Sequence, residues 1–260
     1  MMKKKIFAAA AIVLLIAAAA FALYRVRYRE NEVIIRTGEK EIYGVLFRPR
    51  FSGRKYPLVV LGHGYGGSYS DNLDYGRFFA ENGIGCYVFD FCGGSEDSRS
   101  TRVQMSLDTE IEDMNDIVDY MLLQSWLKKD GLFLAGKSLG GCVAALTAAD
   151  RPEDVGGLML HYPFFMVSAA FLNEGEEPRP VVPGIFEEIS RFRGPVLIFN
   201  GDQDKYVPAA YSAQAAEAYE DARLVILEGS GHGFGGKNRE QVKNEMVRFI
   251  EERGEFSWKK

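Results

Sequence analysis

Ser138 lies in the run Gly136, Lys137, Ser138, Leu139, Gly140, which fits G-x-S-x-G. A serine hydroxyl attacks a carbonyl carbon only when a base takes its proton. Histidine is the natural base near neutral pH, and the chain has three: His63, His161 and His232. His232 sits in "GSGHGFGG", a glycine-flanked stretch after the last predicted strand. Such a loop can swing an imidazole over the edge of a sheet. The imidazole in turn needs a carboxylate to fix its tautomer and to stabilise the imidazolium. "FNGDQDKYVP" offers Asp202 and Asp204. One is expected to be that acid, and the other a turn residue bonding its own backbone. His161, at the end of "GLMLH", reads as a satisfied structural histidine, and His63 belongs to a separate glycine-rich loop.

The motif alone says little in a chain with 28 glycines. Its setting says more. "LFLA" before it reads as a buried strand, and "LGGCVAALTAA" after it as a helix of small residues. A nucleophile elbow requires this strand–turn–helix arrangement. It holds the serine in strained dihedrals, lifts the hydroxyl above the sheet and aims a helix N-terminus at it.

The remaining elements alternate. "NEVIIRT" and "EIYGVLF" around "GEK" predict an antiparallel hairpin. "YPLVVLG", "GCYVFDF", "GLFLAG", "VGGLMLHYP", "PVLIFNG" and "ARLVILEG" are short apolar runs suited to strands buried on both faces. Helical patterns lie between them: "NLDYGRFFAEN", "LDTEIEDMNDIVDYMLLQSWL", "AAYSAQAAEAYE" and the final "REQVKNEMVRFIEER". In the second, Ile111, Met114, Ile117, Val118, Met121 and Leu122 form the apolar face, with acidic residues expected opposite. This alternation predicts an α/β fold with a mostly parallel central sheet, helices on both faces and an antiparallel edge. Residues 163–194 have no clear pattern.

In its chain order Ser…Asp…His, with each member after a predicted strand, the sequence resembles the α/β-hydrolases. "GKSLGG", "GDQDKYVP" and "GHGF" are similar to the serine esterases and their prolyl-oligopeptidase-like and cinnamoyl-esterase-like relatives. The resemblance spans residues ~32 to 253. It implies Ser138 as nucleophile, His232 as base and Asp204, the second aspartate of G-D-x-D-x-x-V-P, as acid. Lys137 stands where many relatives have histidine, which places a charge beside the nucleophile turn. The resemblance also implies an oxyanion hole built by the backbone N–H groups of Tyr65, in "HGYGGS", and Leu139. It places residues 163–194 as a short cap, with Phe164, Phe165, Met166, Phe171 and Leu172 available as apolar walls.

Gly62, Gly64 and Gly67 also fit the dinucleotide fingerprint G-x-G-x-x-G, with Asp90 ending the next apolar run. That fingerprint needs a helix opening within the glycines. Here polar "SYSDN" intervenes, and Asp90 reads as structural.

Composition narrows the rest. The 260 residues carry a net charge of −5, and no basic cluster past residue 30 suggests nucleic acid as a partner. Cys86 and Cys142 fall in apolar elements and are expected to be buried, whereas Cys92, on a loop, is expected to be more accessible. No metal-ligand spacing is present, and no cofactor is expected. "MMKKK" precedes an uncharged stretch, residues 6–24, long enough to span about 28 Å as a helix. Residues 1–30 are therefore expected to be a membrane anchor or a cleaved signal peptide, with residues 31–260 forming the catalytic domain outside the cytoplasm. The expected activity is hydrolysis of a small-molecule carboxylic ester through an acyl-enzyme. The alternatives are a prolyl-oligopeptidase-like serine peptidase and a non-catalytic binding module.

Overall fold

The computed structural model describes residues 28–50, 55–95 and 97–253. The expected membrane segment at residues 6–24 lies outside them. Among the described residues, no helix is long and apolar enough to cross a membrane.

Within the described residues, ten strands and six α-helices follow in order. They are β1 (Tyr28–Thr37), β2 (Lys40–Pro49), β3 (Tyr56–Gly62), α1 (Leu73–Glu81), β4 (Gly85–Phe89), α2 (Leu107–Leu122), β5 (Leu127–Lys137) and α3 (Leu139–Asp150). Then come β6 (Gly157–His161), the two-residue strands β7 (Met166–Val167) and β8 (Arg179–Pro180), α4 (Ile185–Ile189), β9 (Val196–Gly201), α5 (Ala209–Ala218), β10 (Ala222–Leu227) and α6 (Gly236–Arg253). Eight strands make one sheet in the order β1-β2-β4-β3-β5-β6-β9-β10. The β1–β2 hairpin turns tightly, pairing Thr37 with Lys40, and β2 also runs antiparallel to β4. Every other pairing is parallel. This is the α/β-hydrolase fold.

The apolar strands face two cores, as the period-2 geometry of a strand dictates. Val60, Leu134, Leu160 and Ile198 point to the side covered by α2, α3 and α5. Their neighbours Leu61, Ala135, Met159 and Leu197 point to the side covered by α1 and α6. Burying each large apolar side chain contributes roughly 1.5–3 kcal/mol. The sheet is therefore a rigid base, and the loops at the C-terminal ends of its parallel strands carry the polar residues.

Three expectations need correction. Helix α2 stops at Leu122 and β5 begins at Leu127; the apolar stripe ends at Met121, and Leu122, expected on the buried face, is exposed like Leu123. The acidic face of α2 is not wholly solvated: Glu110 and Asp113 are buried. Cys92 is also buried, since its N–H donates to Asp113 Oδ2 at 2.6 Å.

Candidate active site

Strand β5 hands directly to α3 through Ser138, whose φ of 51° and ψ of −116° are unusual for a residue with a side chain. The turn is so tight that a Cβ on Gly136 would lie 2.1 Å from the Gly140 carbonyl oxygen. Hydrogen bonds fix the strained residue. Its N–H donates to the His161 carbonyl at 2.9 Å, and its own carbonyl accepts the N–H groups of Gly141 and Phe164 at 3.0 Å each. Neighbouring elements therefore hold the conformation that exposes the hydroxyl.

The loop after β10 brings His232 to this hydroxyl. His232 Nε2 lies 3.1 Å from Ser138 Oγ, and Nδ1 lies 2.8 Å from Asp204 Oδ2. The Asp204 carboxylate is shielded from solvent, while the imidazole is 25% exposed. The second Asp204 oxygen accepts the N–H groups of Tyr206 and Val207, both at 2.9 Å. An acceptor-only carboxylate beside Nδ1 makes that nitrogen the donor and leaves Nε2 to accept from serine. Asp202 lies apart, and its Oδ1 accepts the Gly229 N–H at 2.8 Å, tying the loops after β9 and β10 together. The rings of Tyr162 and Tyr206 pack on the imidazole, with centroids 4.5 and 5.4 Å away. Sequence reasoning did not single out either tyrosine. The available signals were their places, directly after His161 at the end of β6 and two residues after Asp204.

The loop after β3 forms the facing wall. His63 is buried, and its Nε2 accepts the Phe91 N–H at 3.3 Å, so Nδ1, 2.8 Å from Gly64 O, is the donor. Burial holds its pKa below the ordinary value, and the neutral ring anchors the loop. Tyr65 and Leu139 line the same cavity as Ser138 and His232. Among the described residues, the Tyr65 N–H donates to no backbone carbonyl. Leu139 is the first residue of α3, where a helix leaves its N–H groups without internal partners. Both amides can therefore serve an incoming oxygen.

A dinucleotide does not suit this loop. A 3-10 turn, Tyr69–Asn72, separates the glycines from α1, so no α-helix N-terminus meets them. Asp90 is buried and spends one oxygen on the Tyr69 N–H and the other on the Arg99 N–H.

His161 is buried, as expected of a structural residue, but only half satisfied. Its Nε2 lies 3.3 Å from Met246 Sδ, and its Nδ1 has no partner among the described residues. Burial holds its pKa well below the ordinary value. The site opens into a cavity of about 1260 Å³. Of the five apolar residues named for the cap, Phe164 and Phe171 line it. Phe165 turns into the core and is fully buried.

Known proteins share this architecture. Residues 53–185 match the family model described as serine aminopeptidase, S33, and residues 176–255 match one described as TAP-like protein. An uncharacterized protein of Mycobacterium tuberculosis is 26% identical over 216 residues, 77% of this chain and 72% of that relative. The mouse (Mus musculus) protein named 1-acylglycerol-3-phosphate O-acyltransferase ABHD5 is 31% identical over 158 residues, 59% of this chain. The match spans only 42% of the mouse protein. Among solved structures, Est1E from Butyrivibrio proteoclasticus, with ferulic acid bound, superposes with a TM-score of 0.74 at 19% identity, covering 85% of this chain and 98% of its own. A Paleococcus ferrophilus monoacylglycerol lipase gives 0.61 at 18%, covering 82% and 100%. At these identities the structural likeness speaks to the fold.

Proposed function

We propose that this chain, which belongs to the serine aminopeptidase S33 family of α/β-hydrolases, cleaves carboxylic esters through an acyl-enzyme formed on Ser138. One observation carries the reading: the unbroken hydrogen-bonded series from Ser138 Oγ through His232 to the buried Asp204 carboxylate, at 3.1 and 2.8 Å.

In this mechanism His232 Nε2 takes the Ser138 proton as Oγ attacks the ester carbonyl carbon. The carbonyl π electrons move to oxygen, and the N–H groups of Tyr65 and Leu139 receive the oxyanion. Each such donor is worth about 2.7–4 kcal/mol in comparable sites. Collapse of the tetrahedral intermediate expels the alkoxide, which His232 protonates as it leaves. Water then repeats the sequence on the acyl-enzyme and releases the carboxylic acid. Asp204 stays ionised throughout and stabilises the imidazolium. The aromatic wall of Phe164, Phe171 and Tyr206 supports an apolar or aryl acyl group.

The family description supports a second reading, hydrolysis of aminoacyl amides. Assay of the purified domain against short-chain 4-nitrophenyl esters and aminoacyl anilides separates the two. The ester reading predicts turnover of the esters that Ser138→Ala abolishes. Turnover of the anilides alone overturns it in favour of the peptidase.

Residues 6–24, uncharged between two basic stretches, further support a domain tethered to or exported across a membrane. The intact mass of the mature protein tests this: the full mass indicates a retained anchor, and a new N-terminus near residue 23 indicates cleavage.

A further inference from the structure

The cavity wall away from the aromatic cap is charged, and the mechanism above does not use it. Lys137 immediately precedes the nucleophile and lines the cavity together with Asp71, Asp74, Tyr75 and Arg239. Its Nζ donates to the Asp71 backbone carbonyl at 2.9 Å and stands 4.8 Å from the centroid of the Tyr75 ring. An ammonium has three N–H donors, and this carbonyl takes one of them.

The nearby carboxylates are occupied elsewhere. Asp74 gives one oxygen to Arg239 at 3.0 Å and the other to Lys243 at 2.9 Å. Asp71 Oδ2 accepts the Ser68 N–H at 3.0 Å. Among the described residues, no carboxylate forms an ion pair with Lys137. Burial, reinforced by the like charge of Arg239, brings its pKa down to about 8. A poorly hydrated cation with no carboxylate in contact, offset only at a distance by Asp74 and Asp71, is costly to keep. Beside a candidate nucleophile, it marks a place where a ligand supplies the missing charge.

We propose that Lys137, with Arg239 beside it, receives an anionic oxygen group of the substrate, a carboxylate or a phosphate, so that the preferred esters carry a negative charge at one end. This assignment rests on the reading of Ser138 as an ester hydrolase nucleophile. It names the substrate class of that same site: apolar where it meets Phe164 and Phe171, anionic where it meets Lys137.

Two matched pairs of esters test it and separate the two anion chemistries. One pair is 4-nitrophenyl hydrogen adipate and 4-nitrophenyl methyl adipate. The other is the butyrate ester of ethylene glycol monophosphate and that of ethylene glycol monomethyl ether. At pH 7 the wild-type protein is expected to favour the charged member of at least one pair by about tenfold or more in kcat/KM, mostly through KM. Lys137→Met is expected to bring that ratio near one, and Lys137→Arg to retain it.

The pH dependence gives the same test without a variant. In the adipate pair, His232 acts on both esters alike and cancels from the ratio. The groups facing Lys137 are Asp71, Asp74, Arg239, Lys243 and Tyr75, with the buried neutral His63 and His161 behind them. The ratio is expected to fall as the pH rises through about 8, where Lys137 loses its proton. Equal or better hydrolysis of the neutral member in both pairs, or a preference that survives in Lys137→Met, overturns the assignment while leaving the esterase reading intact. A wild-type protein that hydrolyses none of the four esters and takes up no fluorophosphonate overturns both.

Discussion

Gly140 and the His63 carbonyl are in such close approach that a Cβ on Gly140 would lie 2.2 Å from that oxygen. The nucleophile turn and the loop carrying the Tyr65 amide are thus pressed together backbone to backbone. Gly140→Ala must push them apart. Expected outcomes are a drop in kcat/KM of about 100-fold, from displacement of reacting groups by around an ångström, and a loss of roughly 1–3 kcal/mol in stability. Ester kinetics and urea denaturation check the two separately. Unchanged kinetics would separate the loop after β3 from catalysis.

Asp204 and Asp202 make opposite predictions. Asp204→Asn keeps the shape but offers an amide N–H to His232 Nδ1, which favours the wrong tautomer. A fall in kcat of about 10⁴ is expected. Asp202→Ala removes only the acceptor for the Gly229 N–H. It is expected to cost about 1 kcal/mol of stability and little of kcat. A larger kinetic effect at Asp202 than at Asp204 would reverse the assignment.

The pattern of what the sequence revealed has a physical basis. The turn at Ser138 and helix α3 were legible because local chemistry dictates them: an apolar strand, glycines where no Cβ fits, then small helix-forming residues. The central strands were legible because burial on both faces leaves continuous apolar runs. The choice between Asp202 and Asp204 was not open to residue chemistry alone, since both fit a turn. It depends on which carboxylate the β9–α5 loop presents to His232. Likewise, adjacent Phe164 and Phe165 look equivalent in sequence. The Phe165 N–H donates to the Pro163 carbonyl at 3.0 Å, and this tight turn sends Phe164 to the cavity and Phe165 into the core. Cys92 and Glu110 are buried by elements distant in sequence, and nothing in their neighbours announces it.

Glu110 provides a stability test away from the site. Burial first, and the Asp113 charge second, push its pKa up to about 8 from an ordinary value of 4.5. Between these values the folded protein holds a proton that the unfolded chain has released. This contribution is therefore complete below about pH 4.5 and is lost as the pH rises to about 8. Glu110→Gln, which stays neutral, is expected to lack that part of the pH dependence. The variant should gain on the order of 2–4 kcal/mol over wild type between pH 5 and pH 8. Urea unfolding at the two pH values measures it, and parallel losses in both proteins would contradict it.

The most direct measurement concerns Ser138 itself. Wild-type protein treated with a fluorophosphonate and read by peptide mass spectrometry is expected to carry one phosphonyl group, on Ser138. Labelling should be absent in Ser138→Ala and slowed by about 10³-fold or more in His232→Ala. A folded wild-type protein that takes no label, or takes it on another residue, would contradict the account of Ser138 as a nucleophile activated by His232.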